Sequence, residues 1–252
     1  MKNFELISFA TADKLARAVA SAWLDEIEAA NRAVKMHCVA LSGGRIARKF
    51  FASVAEQAKS RKIGDGGTPF LPGNVHFFWA DERCVPPDDP ESNFHLAKEL
   101  LFGPLKIGDA QIHRIRGEDL PAAAAKAAST EIVQIAPSNE AGQPVLDIIF
   151  LGMGEDGHVA SLFSGEPDVL ILDKVIYRAV KNSPKSPPNR VTLGYTTITL
   201  AKQVWVLVSG AGKETALCES LSSQGRTPLA RVTQFRTRTK IFSDFPLIER
   251  AK

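Results

Sequence analysis

Apolar residues along this chain follow two alternating rhythms. Short unbroken apolar runs with strand character occupy residues 4–9, 37–41, 75–80, 147–151, 204–208 and 240–242. Runs without strict polar alternation suit strands covered on both faces. Between them the period lengthens. Leu15, Val19, Trp23 and Ile27 recur every fourth residue behind Thr11, a natural N-cap. A second helical run covers 46–59. A third, 121–136, opens on Pro121, which suits a first helical turn, and stops before Pro137. Strands alternating with helices predict an α/β fold: an open, mostly parallel sheet with helices on both faces, a Rossmann-like three-layer α/β/α arrangement. Gly- and Pro-rich stretches at 64–74 and 183–189 read as loops within it. No repeat, low-complexity tract or linker interrupts the pattern, so one domain over 1–252 is expected.

Composition refines this picture only slightly. The chain has 252 residues, 44% hydrophobic and 23% charged, close to the soluble globular average and long enough to bury a large core. Its net charge of +3, from 31 basic and 28 acidic residues, is too mild for a dedicated nucleic-acid binder. Cys38, Cys84 and Cys218 lie far apart with no CxxC, which suits free thiols in a reducing compartment better than a disulfide framework or a zinc site. The N-terminus lacks a signal peptide's apolar core, and no run approaches the roughly 18 apolar residues of a membrane span. The expectation is a soluble, cytoplasmic protein with no nucleic-acid or membrane partner.

In open parallel sheets, ligands bind beyond the carboxyl ends of the strands. Ser42-Gly43-Gly44-Arg45 follows one such end and enters the helical run at 46. A turn of this kind offers backbone N–H groups and a helix dipole to an anion, although a plain tight turn fits equally well. Asp81-Glu82-Arg83 follows the apolar run FFWA. Charges there must be solvated, paired or turned to a cleft, and a solvated turn is the ordinary expectation.

The sharpest segment runs from Gly152 to Ser161, GMGEDGHVAS. Glycines 152, 154 and 157 match GxGxxG. Even so, Glu155 and Asp156 place two negative charges where a pyrophosphate would sit, and the helix expected after the turn ends within two turns near Ser164. The dinucleotide reading is therefore rejected. The turn instead presents His158 beside Asp156, an imidazole able to take a proton from water next to a carboxylate able to orient it. The other histidines, His37, His76, His95 and His113, show no metal-ligand spacing, and no metal or cofactor is expected. Residues 174–213 hold no acid and seven bases, Lys174, Arg178, Lys181, Lys185, Arg190, Lys202 and Lys213. Such an excess attracts anions, and a small phosphorylated substrate suits it better than nucleic acid. Lys213 follows an apolar run and the turn SGAG, which puts it on the same rim as His158. Lys174, Arg178 and Lys202, and the basic run 226–240, read as solvated surface.

Together LSGG, FFWADERCVP with ESN downstream, FLGMGEDGHVASLFSG, and PPNRVTLGYTTI followed by VLVSGAGKETAL resemble the glucosamine-6-phosphate isomerase/6-phosphogluconolactonase family, over residues 37–220 and in matching order. The DERxVP and DGHxASLF forms and the prolines before Arg190 are closer to its lactonase branch than to its deaminase branch. The resemblance implies hydrolysis of 6-phospho-D-glucono-1,5-lactone, a phosphorylated sugar lactone, without cofactor. It carries the family's phosphate loop to Ser42, Gly43 and Gly44 and the basic partners to Arg190 and Lys213. The catalytic imidazole falls on His158 with Asp156 beside it, and the DER motif on Asp81 and Arg83. Arg45-Ile46-Ala47 stands where the family commonly reads Ser-Thr-Pro, so Arg45 either supplies a charge to the phosphate or points to solvent. The alternatives are an amino-sugar-phosphate deaminase/isomerase and a non-catalytic sugar-phosphate sensor.

Overall fold

In the computed structural model, which describes residues 3–63, 68–69, 72–166 and 173–246, strands and helices alternate along the chain. Residues 64–67 and 70–71 of the expected 64–74 loop lie outside the described residues. The first half contains β1 (Phe4–Ser8), α1 (Ala12–Arg32), β2 (His37–Leu41), α2 (Arg45–Ser60), β3 (Lys62–Ile63) and β4 (Thr68–Pro69). It continues with β5 (Val75–Trp79), β6 (Asp81–Arg83), α3 (Asn93–Ala97), α4 (Gly103–Leu105) and α5 (Pro121–Ile135). The second half contains β7 (Ile148–Gly152), β8 (Tyr177–Val180), β9 (Arg190–Leu193) and α6 (Tyr195–Leu200). It ends with β10 (Gln203–Val208), α7 (Glu214–Ser220), α8 (Pro228–Gln234) and β11 (Thr239–Ser243).

Local chemistry sets several of these boundaries. Thr11 Oγ1 accepts the Lys14 N–H at 3.2 Å, the capping bond expected at the start of α1. α5 starts on Pro121 and leaves helical geometry at Ala136, the residue before a proline. Six strands form one open sheet in the order β1-β11-β10-β7-β2-β5, and every pairing in it is parallel. All five residues of β2 are buried, so both faces of that strand are covered. On the sheet packs an aromatic core in which Trp23 meets Phe50, Phe77 and Phe150. The fold is the α/β class expected from the pattern.

Two features depart from that expectation. Asp81–Arg83 is a strand, not a solvated turn: β6 pairs antiparallel with β9, and β9 with β8, making a second sheet of three strands. These strands are only three or four residues long and carry charges, so no apolar run announced them. Nor is there a short helix after the glycine turn. Residues 153–163 fold as consecutive tight turns bridged from Met153 to Val159 and from Val159 to Leu162.

From β2 the chain moves outward to β5, then returns to lay β7 on the other side of β2. The strand order thus reverses between β2 and β7, where open α/β sheets leave a crevice.

Candidate active site

The crevice is lined by residues from five strands and the turns that follow them. Ser42, Gly43, Gly44 and Arg45 come from the end of β2, and Asp81 and Arg83 from β6 just beyond β5. Gly152, Gly154 and His158 follow β7, Lys213 follows β10, and Arg190 enters from β9. Nine of the ten residues singled out from the sequence therefore face one cleft, and the tenth, Asp156, touches it through His158.

His158 Nδ1 lies 2.5 Å from Asp156 Oδ1. Burial pushes the Asp156 carboxyl up, but hydrogen bonding to His158 and its charge outweigh burial and hold it below the usual carboxylate range. An ionised carboxylate only accepts, so Nδ1 carries a proton, and in the neutral ring Nε2 holds the free lone pair. The imidazole rests on the backbone of Gly154, where a methyl group would fall 2.1 Å from the ring; only glycine permits that approach. Phe163 packs against the other side of the site, its ring 4.9 Å from His158 and 5.9 Å from the Arg190 guanidinium.

The N-terminus of α2 is capped by Gly44 with no side-chain hydrogen bond, and its first turn holds no acid. Its orphan N–H groups are available to an anion at the cleft. Ser42 Oγ does not join them, because it donates to the Phe150 carbonyl at 2.8 Å and ties β2 to β7. Arg45 extends into solvent, 80% exposed, with Nη2 3.7 Å from Glu155 on the glycine turn. Burial, and then the charge of Arg45, lower the Lys213 pKa. Burial, and then the charge of Arg83, lower that of Arg190. Cations crowded enough to discourage one another's charge favour an incoming anion.

Arg190 is buried, and most of its donors are already engaged. Nε donates to the Pro187 carbonyl, Nη2 to those of Lys185 and Ser186, and Nη1 to Ser161 Oγ at 3.4 Å. Arg83 Nη1 donates to the Glu91 carbonyl at 2.7 Å, while its buried Nε–H has no partner among the described residues. Asp81 is buried and accepts from Ser161 Oγ at 2.7 Å and from Asn93 Nδ2 at 3.3 Å.

Sequence reasoning passed over the residues that hold these groups. Glu82 is buried and accepts four hydrogen bonds, from the N–H groups of Arg83, Asn93 and Phe94 and from Ser92 Oγ. The available signal was three charges abutting an apolar run, which must be satisfied somewhere, with a Ser-Asn helix start ten residues on. Two basic residues assigned to solvent are also structural. Arg178 pairs with Glu166 in a largely shielded contact. Arg236, inside the 226–240 run, is buried with Nη1 on the carbonyls of Thr199 and Ala201. Lys202, by contrast, reaches Asp147 from an exposed position. Among the described residues no cluster of three or more His, Cys, Asp or Glu is arranged to hold a metal, and no helix is long and apolar enough to cross a membrane.

A family model described as Glucosamine-6-phosphate isomerases/6-phosphogluconolactonase matches residues 10–241. The 6-phosphogluconolactonase of Treponema pallidum is 34% identical over 207 residues, which cover 82% of this chain and 81% of that protein. That of Streptomyces coelicolor is 31% identical over 227 residues, covering 88% and 84%. Among solved structures, the 6-phosphogluconolactonase of Trypanosoma brucei aligns with a TM-score of 0.78 at 26% identity and covers 94% of both chains.

Proposed function

The chain belongs to the glucosamine-6-phosphate isomerase/6-phosphogluconolactonase family, and on that premise we propose that it hydrolyses 6-phospho-D-glucono-1,5-lactone to 6-phospho-D-gluconate. This places it in the oxidative branch of the pentose phosphate pathway, as a cytoplasmic enzyme. The observation that carries the reading is one cleft holding both a carboxylate-oriented imidazole and an uncapped helix N-terminus flanked by cations.

Lactone hydrolysis needs water to attack a planar carbonyl and to lose a proton as the C–O bond forms. The ring oxygen then leaves and takes up a proton. His158 Nε2 accepts the first proton, and the resulting imidazolium, stabilised by Asp156, returns it to the ring oxygen. One imidazole performs both transfers in sequence, so neither an acyl-enzyme nor a metal is required. Arg83, whose side chain lines the cleft, supplies a guanidinium for substrate or for developing negative charge. Asp81 supports the site by holding Ser161, three residues beyond His158. The phosphate is assigned to the Ser42–Gly44 turn, with Lys213, Arg45 and the remaining Nη1 proton of Arg190 around it. That site is remote from the reacting carbonyl, so binding there serves mainly to orient the lactone.

The test is turnover of the phosphorylated lactone by purified protein, corrected for spontaneous opening. Rapid hydrolysis with no release of ammonia from glucosamine 6-phosphate is expected. Turnover of the amino sugar alone, or tight binding of 6-phosphogluconate with no turnover of the lactone, would overturn the reading.

A further inference from the structure

We infer that Asn93 is a positioning residue that locks the phosphate turn to the strand carrying Asp81 and Arg83, an inference that rests on the function proposed above. Asn93 is 3% exposed and touches two of the segments that build the site, the turn after β2 and the strand β6. Its Nδ2 donates to the Asp81 carbonyl at 2.8 Å and to Asp81 Oδ1 at 3.3 Å. Its Oδ1 lies against Gly43, so closely that a methyl group on Gly43 would fall 1.8 Å from it. Through the other oxygen of Asp81, the same chain of contacts reaches Ser161 and the turn bearing His158.

The residue is anchored at its backbone: the Asn93 main-chain N–H donates to Glu82 Oε1 at 2.7 Å, and the Phe94 N–H to Glu82 Oε2 at 2.8 Å, which pins both to β6. Gly43, unlike Gly44, does not have a positive φ. Alanine is therefore compatible with the backbone at 43, and the Asn93 side chain alone stands in its way. Gly43→Ala must push Asn93 off Asp81, whereas the same change meets no other residue nearer than 3.3 Å once Asn93 is shortened. The two positions should thus be strongly non-additive, as contacting residues are.

The experiment is a double-mutant cycle with Gly43→Ala, Asn93→Ala and the pair. Lactone turnover, 6-phosphogluconate affinity by calorimetry and the thermal midpoint are measured for each. Gly43→Ala should lower kcat and product affinity about tenfold each, within the range of a misplaced site. Asn93→Ala should lower kcat about tenfold and affinity less, because the turn keeps its backbone. Adding Gly43→Ala to Asn93→Ala should cost less than about twofold more. Should Asn93→Ala not fold, Asn93→Ser carries the same comparison. A folded Asn93→Ala protein with wild-type kcat and affinity, or single effects that multiply in full, would refute the inference. Wild-type protein without lactonase turnover would refute the proposed function instead. In that case the midpoints still report the Gly43–Asn93 coupling without any ligand, and additive midpoint shifts would refute the inference separately.

Discussion

Asp156 and Glu82 lie beyond the ends of β7 and β5, the two strands that flank β2, and each adjoins a residue assigned to the reaction. Their surroundings differ sharply. The Asp156 side chain is 40% exposed and paired with one imidazole. Glu82 is 2% exposed and surrounded by four donors, three of them backbone N–H groups. His158 outweighs burial and holds the Asp156 carboxyl low. Burial pushes the Glu82 carboxyl up to about 7 against the pull of all four donors. A carboxylate with one mobile partner can serve a group that changes protonation during turnover. One whose oxygens are filled by fixed donors can only build the backbone around it. On the proposed mechanism the same functional group supports a proton-transferring imidazole at the rim and holds backbone in place beneath it, and exposure separates the two roles.

Breaking the rim pair should have the largest effect. A general base contributes about 10²–10⁴-fold, so His158→Ala should lower kcat within that range while 6-phosphogluconate affinity stays nearly unchanged. Asp156→Asn keeps the shape but can turn its amide to donate to Nδ1, which would place the proton on Nε2. It should lower kcat by about 10²-fold or more. Near-normal turnover in folded His158→Ala protein would remove the imidazole from the mechanism.

The buried carboxylate predicts a change in stability. Its folded pKa of about 7 lies above the unfolded value of 4.5, so the folded state holds the proton more tightly. That contribution to stability is complete below 4.5 and is lost as pH rises through 7. Glu82→Gln abolishes the titration. The stability of wild type relative to this variant should therefore fall from pH 4.5 to pH 8, by up to roughly 3 kcal/mol. Urea unfolding at several pH values measures it, and a difference that grows with pH would show that the four donors outweigh burial.

These two carboxylates also mark what was legible in the sequence. Five of the six parallel strands showed as apolar runs because they are buried through most of their length. β1, only half-buried at the sheet edge, showed by Phe4, Leu6 and Ile7, and the glycine turn with His158 followed directly from β7. β6, β8 and β9 left no such trace. Their stability comes from pairing with one another and from contacts to residues distant in sequence, as in the pairing of Arg83 with Arg190 in register. Glu82 looked like one of three solvated charges because three of its four donors arrive from Ser92, Asn93 and Phe94, ten and more residues away. Arg178 and Arg236 were misread for the same reason: their partners, Glu166 and the α6 carbonyls, come together only in three dimensions.

Exposure should also rank the cations of the proposed phosphate site, and here the expected effects are smallest. Lys213 is partly buried and its charge is disfavoured by burial and by Arg45, so an anion relieves it directly. Charge-assisted hydrogen bonds are worth about 1.5–3 kcal/mol, so Lys213→Ala should raise KM by at least about tenfold with a smaller loss in kcat. Arg45 is 80% exposed and shares a 3.7 Å contact with Glu155, itself well exposed. Water and salt screen charges in that position, and an anion must compete with Glu155 for it. Arg45→Ala should therefore raise KM only about twofold to fivefold at low salt, and the difference should shrink further at 0.5 M salt. If Arg45→Ala matched Lys213→Ala, the guanidinium would have to fold inward onto the phosphate. The loop would then have recovered with one long cation what Ser and Thr supply elsewhere in the family.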